Sequence, residues 1–309
     1  MAGTDEQTDE RTEERAEERT EGAGPFTTRI TRPLDEGGTA VWESRLARKR
    51  GAVMVSSAEN PQGVPRHADL AARSRLRRLN AIASWAFAIG GALFVLGAAV
   101  AEFGSGDAST CAVIYFVGGL FFNTGGYASL LQVINSPRPE NGPHELVTPR
   151  WRWWSYEPRR IDWLSTFLLF TGTLVFGVNL VDSFFHGLSA QRTNELVWGP
   201  DMIGCVLFLV SGHLALVEVC HGRLGIRVQD LGWWVVAANQ LGSVLFLVSA
   251  FAAYTRPANG VMVDVTAANW GTLAGALCFV LGGVLQGFER PVTSPASVAD
   301  VVGAGLFSP

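Results

Sequence analysis

GGLFFNTGGYASLLQ (Gly118–Gln132), GCVLFLVSGHLALVE (Gly204–Glu218) and GALCFVLGGVLQGFE (Gly275–Glu289) share one internal spacing. Each opens on a glycine, carries phenylalanine four residues on (Phe122, Phe208, Phe279) and a second glycine four later (Gly126, Gly212, Gly283). Fourteen residues after the leading glycine stands Gln132, Glu218 or Glu289. Positions four apart lie on one helix face, drifting about 40° per step. Glycines there leave a shallow groove in which a neighbouring backbone approaches closely, and the phenylalanine between them fills the groove of a partner. Membrane helices gain packing energy in this way, because lipid tails supply no hydrophobic drive between them.

A shorter pattern precedes each copy: Gly90 and Phe94, Gly172 and Phe176, Gly242 and Phe246. The two patterns together read as one two-helix hairpin repeated three times in tandem, with these fifteen glycines and phenylalanines assigned to helix packing. Six apolar stretches are long enough to cross a bilayer core of about 30 Å, which needs about 20 residues at 1.5 Å each. Their expected limits are 81–102, 111–133, 161–182, 199–219, 232–254 and 267–288. The expected fold is therefore an all-α integral membrane protein of six transmembrane helices. Composition agrees, with 17% charged residues against about 25% in soluble domains.

The divisions that follow are a disordered polar tail over 1–79, hairpins over 80–133, 159–219 and 230–289, and a second tail over 290–309. Arginines orient them. Arg73, Arg75, Arg77, Arg78, Arg138, Arg150, Arg152, Arg159, Arg160, Arg223, Arg227 and Arg290 fall on one side of the spans, and only Arg192 and Arg256 on the other. The positive-inside rule places both termini in the cytoplasm of a cell-membrane protein. Trp151, Trp153, Trp154, Tyr156, Trp163, Trp198, Trp233, Trp234 and Trp270 cluster at span edges, where such rings anchor at headgroup level.

The first tail divides by charge. TDEQTDERTEERAEERTEG holds nine acidic and three arginine side chains and almost nothing to bury, a composition that stays disordered. From Arg29 to Arg78 the balance reverses, to eleven basic residues against five acidic. RLARKR (Arg45–Arg50) and RSRLRR (Arg73–Arg78) are the dense clusters, and contact with anionic lipid headgroups or a cytoplasmic protein is the expectation for them. No nucleic-acid-binding motif accompanies the charge. Asn80, Asp162 and Asp230 read as helix N-caps.

NQLGSVLFLVSAFAAY (Asn239–Tyr254) followed by NWGTLAGALCFVLGG (Asn269–Gly283) resembles the YrhK-like domain, a two-helix membrane module of bacteria. The Gly-Ser-x-x-Phe core of the first helix and the glycine-rich second helix carry the likeness. The first two copies depart from it, with Gly90-Gly91 and Gly172-Thr173 in place of Gly-Ser. The resemblance implies a membrane protein without established activity and brings no catalytic residues.

Ionisable groups within spans are costly and mark candidate functional positions. Glu218, Glu289 and Gln132 end their helices on the face of the glycine–phenylalanine stripe, and His213 sits beside Gly212. These four form a candidate polar path if the hairpins surround an axis. Asn123, Asn179, Asn239 and Gln240 are expected as interhelical hydrogen-bond partners. The four cysteines (Cys111, Cys205, Cys220, Cys278) show no metal-ligand spacing. No nucleophile–base pair, metal set or cofactor motif is present, so no catalytic residue, metal or cofactor is assigned. The expected function is a non-enzymatic packing or interaction scaffold. The alternative is a small cation or proton permease or channel with its path between the repeats.

Overall fold

A computed structural model describes residues 19–34, 37–104, 108–139, 146–185, 187–222 and 225–289. The acidic segment up to Glu18, Arg223, Arg290 and the tail 290–309 lie outside the described residues.

Six long helices dominate: α2 (Leu70–Phe103), α3 (Ala108–Ile134), α4 (Ile161–Asp182), α6 (Gly199–Val219), α7 (Leu231–Ala252) and α8 (Val265–Phe288). Between α4 and α6 lie a short α5 (Ala190–Thr193) and a π-helical turn (Asn194–Trp198). All six long helices are apolar enough to cross a membrane, and they make the chain a multi-pass membrane protein. In sequence order α2 packs on α3, α3 on α4, α4 on α6, α6 on α7 and α7 on α8, and α8 returns to α2. The bundle is thus a closed circle of six helices. Its outward faces carry large apolar side chains such as Trp85, Leu96, Leu174, Val248 and Phe251, all exposed, as lipid contact requires.

The spans sit close to their expected limits except at α2, which begins at Leu70. Asp69 caps it by accepting from Ala72 N, and the RSRLRR stretch continues as helix because Arg and Leu are strong helix formers. Asn80 therefore lies inside α2 and is no cap. Asp162 lies in the first turn of α4, behind Arg160 at the cap position, and accepts from the Trp163 N–H. Only Asp230 caps its helix, accepting from Gly232 N. Trp163 is buried and stacks on Phe167 at 4.7 Å, so it packs within the protein and does not anchor at the interface.

The largest departure is in the first tail. From Arg19 onward it is folded, as an antiparallel meander of five strands: β1 (Arg19–Ala23), β2 (Phe26–Pro33), β3 (Thr39–Glu43), β4 (Ala52–Val55) and β5 (Val64–His67). Strands β6 (Arg138–Pro139) and β7 (Leu146–Val147) form a separate two-residue pair. The meander offsets its ordering entropy with contacts that the tail alone does not contain: Thr28 is fully buried, and His221 beyond α6 reaches Thr28 Oγ1 at 3.3 Å and Glu43 at 3.6 Å.

The RLARKR cluster is the core of a helix, α1 (Ser44–Arg50), inserted between β3 and β4. The two strands still pair below it, Ala40 opposite Val55 and Val41 opposite Met54. Gly51 ends α1 in the left-handed conformation at φ 60°, returning its N–H to the Ala47 carbonyl. That backbone favours glycine and turns the chain back into the sheet. The helix projects from the hairpin into one end of the six-helix circle.

Candidate functional site

The glycine–phenylalanine positions interlock in pairs. A Cβ on Gly90 would stand 2.7 Å from the Phe122 ring, and one on Gly118 would stand 2.9 Å from the Phe94 ring. Gly172 faces Phe208 and Gly204 faces Phe176; Gly242 faces Phe279 and Gly275 faces Phe246. The remaining glycines turn to the next pair of helices. Gly126 packs on Phe170 and Thr173 of α4, Gly212 on Gln240 of α7, and Gly283 on the backbone of Ser84 and Ala88 of α2.

The six phenylalanines meet on the axis. Phe94, Phe176 and Phe246 form a triangle with centroids 5.6, 6.2 and 6.4 Å apart. Phe279 links Phe122 at 5.5 Å and Phe208 at 6.3 Å in a second layer. Phe94–Phe122, Phe176–Phe208 and Phe246–Phe279 join the layers at 5.3, 6.0 and 5.2 Å. All but the parallel Phe176–Phe246 pair are tilted or edge-on, a favoured aromatic geometry at these separations. The result is an apolar plug across the middle of the bundle.

Beyond the plug, toward α1, is a cavity of about 90 Å³, room for several waters. Phe87, Phe208 and Phe279 form its floor. Ser129, Ser165, Thr166, Ser211, Asn239, Ser243 and Gln286 set polar groups into a wall that is mainly apolar. Ser165 and Ser211 each donate to the other's carbonyl, at 2.9 and 2.8 Å, tying α4 to α6. Arg45, Arg48, Lys49 and Glu218 close the top. On the opposite side of the plug a smaller pocket of about 30 Å³ is lined by Phe176, Asp201, Cys205, Phe246, Ser249 and Thr272.

The closure at α1 is ionic and buried. Arg48 Nη2 donates to Glu218 Oε2 at 2.8 Å, and Ser44 Oγ donates to Glu218 Oε1 at 2.8 Å. Arg45 grips Glu289 with two parallel bonds, Nε to Oε1 at 2.8 Å and Nη2 to Oε2 at 2.7 Å. This bidentate geometry is the strong form of the arginine–carboxylate pair. Lys49 Nζ donates to Asn80 Oδ1 at 3.0 Å, and Asn80 Nδ2 donates to the Gln286 carbonyl at 2.8 Å. Arg48 and Lys49 are 4% and 3% exposed, so this part of the basic cluster is not free to meet lipid. The three cations occupy consecutive turns of one helix (Arg45 and Lys49 four apart, Arg48 between), which is why a seven-residue helix reaches three bundle helices.

Burial acts first on these charges, and the partners then decide. Burial alone would raise the Glu289 pKa, but the nearby Arg45 and Lys49 charges and the Arg45 hydrogen bonds hold it below its ordinary value. Lys49 is driven well below its ordinary value, by burial first and then by the adjacent Arg48. Arg45 is shifted up, the pull of Glu289 and Glu218 exceeding the effect of burial.

Of the four polar-path candidates, Glu218 and Glu289 are brought together by α1. Gln132, at the equivalent position of α3, donates its amide to the Leu76 carbonyl at 3.2 Å and does not line the cavity. His213 is exposed on the outside of the bundle. It follows Gly212 by one residue, about 100° around the helix from a face that packs inward, and so takes no part in an axial path. Among the interhelical candidates, Asn123 Oδ1 and Gln240 Oε1 are buried without a hydrogen-bond partner. Asn179 accepts from Ser183 within its own helix end. Cross-bundle bonds come instead from Ser165, Ser211, Asn80 and Ser249, the last donating to the Ala268 carbonyl. Among the described residues no group of three His, Cys, Asp or Glu side chains is placed to hold a metal.

Comparison with protein-family models, with curated proteins and with solved structures found no match to this chain.

Proposed function

We propose that the protein is a non-enzymatic membrane scaffold in which the helical bundle holds the β-meander against one membrane face. The observation that supports this reading is the seating of α1, whose buried Arg48 and Lys49 and half-buried Arg45 meet Glu218, Asn80 and Glu289 at the mouth of the bundle. The meander, and not a loose tail, is then the surface offered to partners. In this reading the bundle is three tandem copies of one hairpin, the last of them YrhK-like, and the interlocked Gly–Phe pairs supply the packing that each copy shares. The arginine asymmetry places the meander in the cytoplasm and the chain in the cell membrane. Exposed Arg78 at the base of α2 suits contact with anionic headgroups, at about 1 kcal/mol per well-placed arginine.

Hydrogen exchange of the full chain in lipid nanodiscs tests the reading. Amides of α1 exchange slowly in the wild type and rapidly in Arg48→Ala. An α1 that already exchanges freely in the wild type overturns it.

The axial cavity favours a second reading, a gated permease whose path is closed by the phenylalanine plug on one side and by α1 on the other. Proteoliposomes separate the two. Cation or proton flux through the wild type that falls in Glu218→Ala supports the permease, and silence across several ions supports the scaffold.

A further inference from the structure

Asp201, in the first turn of α6, is a half-buried carboxylate without a counter-charge. Its one hydrogen bond comes from the buried Cys205 thiol, at 3.8 Å. Among the described residues no arginine, lysine or histidine pairs with it. A helix N-terminus does not supply the missing charge either. The π-helical turn Asn194–Trp198 runs straight into α6, and the Gly199 N–H is already returned to the Asn194 carbonyl, so the amides just ahead of Asp201 are spent within the helix. An ionisable side chain in a span is costly and points to a partner.

The pocket of about 30 Å³ that Asp201 lines shows the chemistry of that partner. On its wall stand Ser249 of α7 and Thr272 of α8, their hydroxyl oxygens 2.8 Å apart. Each hydroxyl has one hydrogen to give. Ser249 gives its own to the Ala268 carbonyl at 2.6 Å, so the hydrogen between the two oxygens belongs to Thr272. Both oxygens then turn only lone pairs to the pocket. With the carboxylate they form a set of oxygen acceptors carrying a single negative charge, the donor type that hard cations select. A divalent ion takes six or more oxygens and would leave a positive excess, whereas a monovalent ion balances Asp201. The volume holds one ion of about the size of a water molecule. Phe176 and Phe246 of the plug shut the inner end, so entry is from the face opposite α1.

We propose that this pocket binds one partly dehydrated monovalent cation of sodium size, held by the Asp201 carboxylate and the Ser249 and Thr272 hydroxyl oxygens. The ion ties α6 to α7 and α8 on the side of the plug away from α1. The site is independent of whether the bundle conducts or only packs, and of which partner the meander meets.

Thermal unfolding of the full chain in nanodiscs of zwitterionic lipid tests it, at mildly alkaline pH so that protons do not compete for the carboxylate. Sodium chloride is titrated against choline chloride at constant ionic strength, because choline is too large for the pocket. The expected result is a saturable stabilisation by sodium and none by choline. At a free sodium concentration one hundred times the Kd, the ratio of folded to unfolded protein rises about a hundredfold. Asp201→Asn keeps the shape, removes the charge and should abolish the response. Thr272→Val removes one oxygen and should weaken the response by tenfold or more in sodium concentration. No response to sodium, or an equal one to choline, overturns the proposal, and so does a wild-type response in either variant. Thr272→Val decides the matter even where Asp201→Asn fails to fold.

Discussion

Arg48 and Glu218 stand 170 positions apart in the chain and 2.8 Å apart in space, the arginine 5% and the carboxylate 1% exposed at their side chains. Removing one partner of such a pair strands the other charge, at about 3–5 kcal/mol. Arg48→Ala and Glu218→Ala should each release α1, read as a loss of amide protection through Ser44–Arg50. Arg48→Ala combined with Glu218→Ala removes both charges, and a double-mutant cycle should show it less costly than the two single changes summed. Additive losses would show that the pair contributes no coupling.

The protonation of Lys49 gives a pH dependence with a defined sign. Its pKa in the folded protein lies below the ordinary 10.5, so between those values the unfolded chain binds more protons and stability rises with pH. The melting temperature should climb as pH rises through the folded pKa toward 10.5 in the wild type, and this component should vanish in Lys49→Met. Glu289, held below its ordinary 4.5, contributes stability above that value that is lost as pH falls through its folded pKa. Glu289→Gln should flatten the acid limb of the same profile.

Gly283 and Gly287 form a matched pair for testing close helix approach. A Cβ at Gly283 would lie 2.9 Å from the Ala88 nitrogen, backbone that has little room to yield, whereas one at Gly287 would find nothing nearer than 3.7 Å. Gly283→Ala should destabilise by about 1–3 kcal/mol, the usual penalty of overpacking. Gly287→Ala should be neutral. Denaturant unfolding in detergent measures both, and equal effects would remove the packing argument.

The phenylalanine plug separates the two pockets. Phe94→Ala combined with Phe279→Ala should join them into one wet passage and raise osmotic water flux in proteoliposomes. Each truncation also costs about 3–5 kcal/mol of packing. Unchanged water flux from well-folded double variant would show that the closure lies elsewhere.

The six spans were legible because an apolar stretch of bilayer length is a long-range signal that needs no partner to interpret. The Gly–Phe spacing marked one face of each helix, but periodicity within a helix does not say which glycine meets which phenylalanine across the bundle. The β-meander was not legible. β1 reads RTEGA and β2 reads FTTRITRP, too polar and too irregular to announce a buried face, and their burial comes from the bundle and not from their own alternation. Glu218 and Glu289 stood out by spacing, but their partners lie 170 and 244 residues away. RLARKR looks the same in a sequence whether its cations face lipid, water or carboxylates. Composition records the charge and is silent on its counter-charge.

The return of α8 to α2 has a consequence for how the chain is made. Synthesis runs from the first hairpin to the last, yet the face of α2 that receives Gly283 stays open until α8 has entered the bilayer. The meander is translated before these six helices, while the carboxylates that α1 requires, Glu218 and Glu289, come at the ends of the fourth and sixth. The N-terminal unit must therefore wait, its cations solvated, until Glu289 has left the ribosome. Seating of α1 thus requires all six helices, and a chain truncated before Glu289 would carry an unlatched meander.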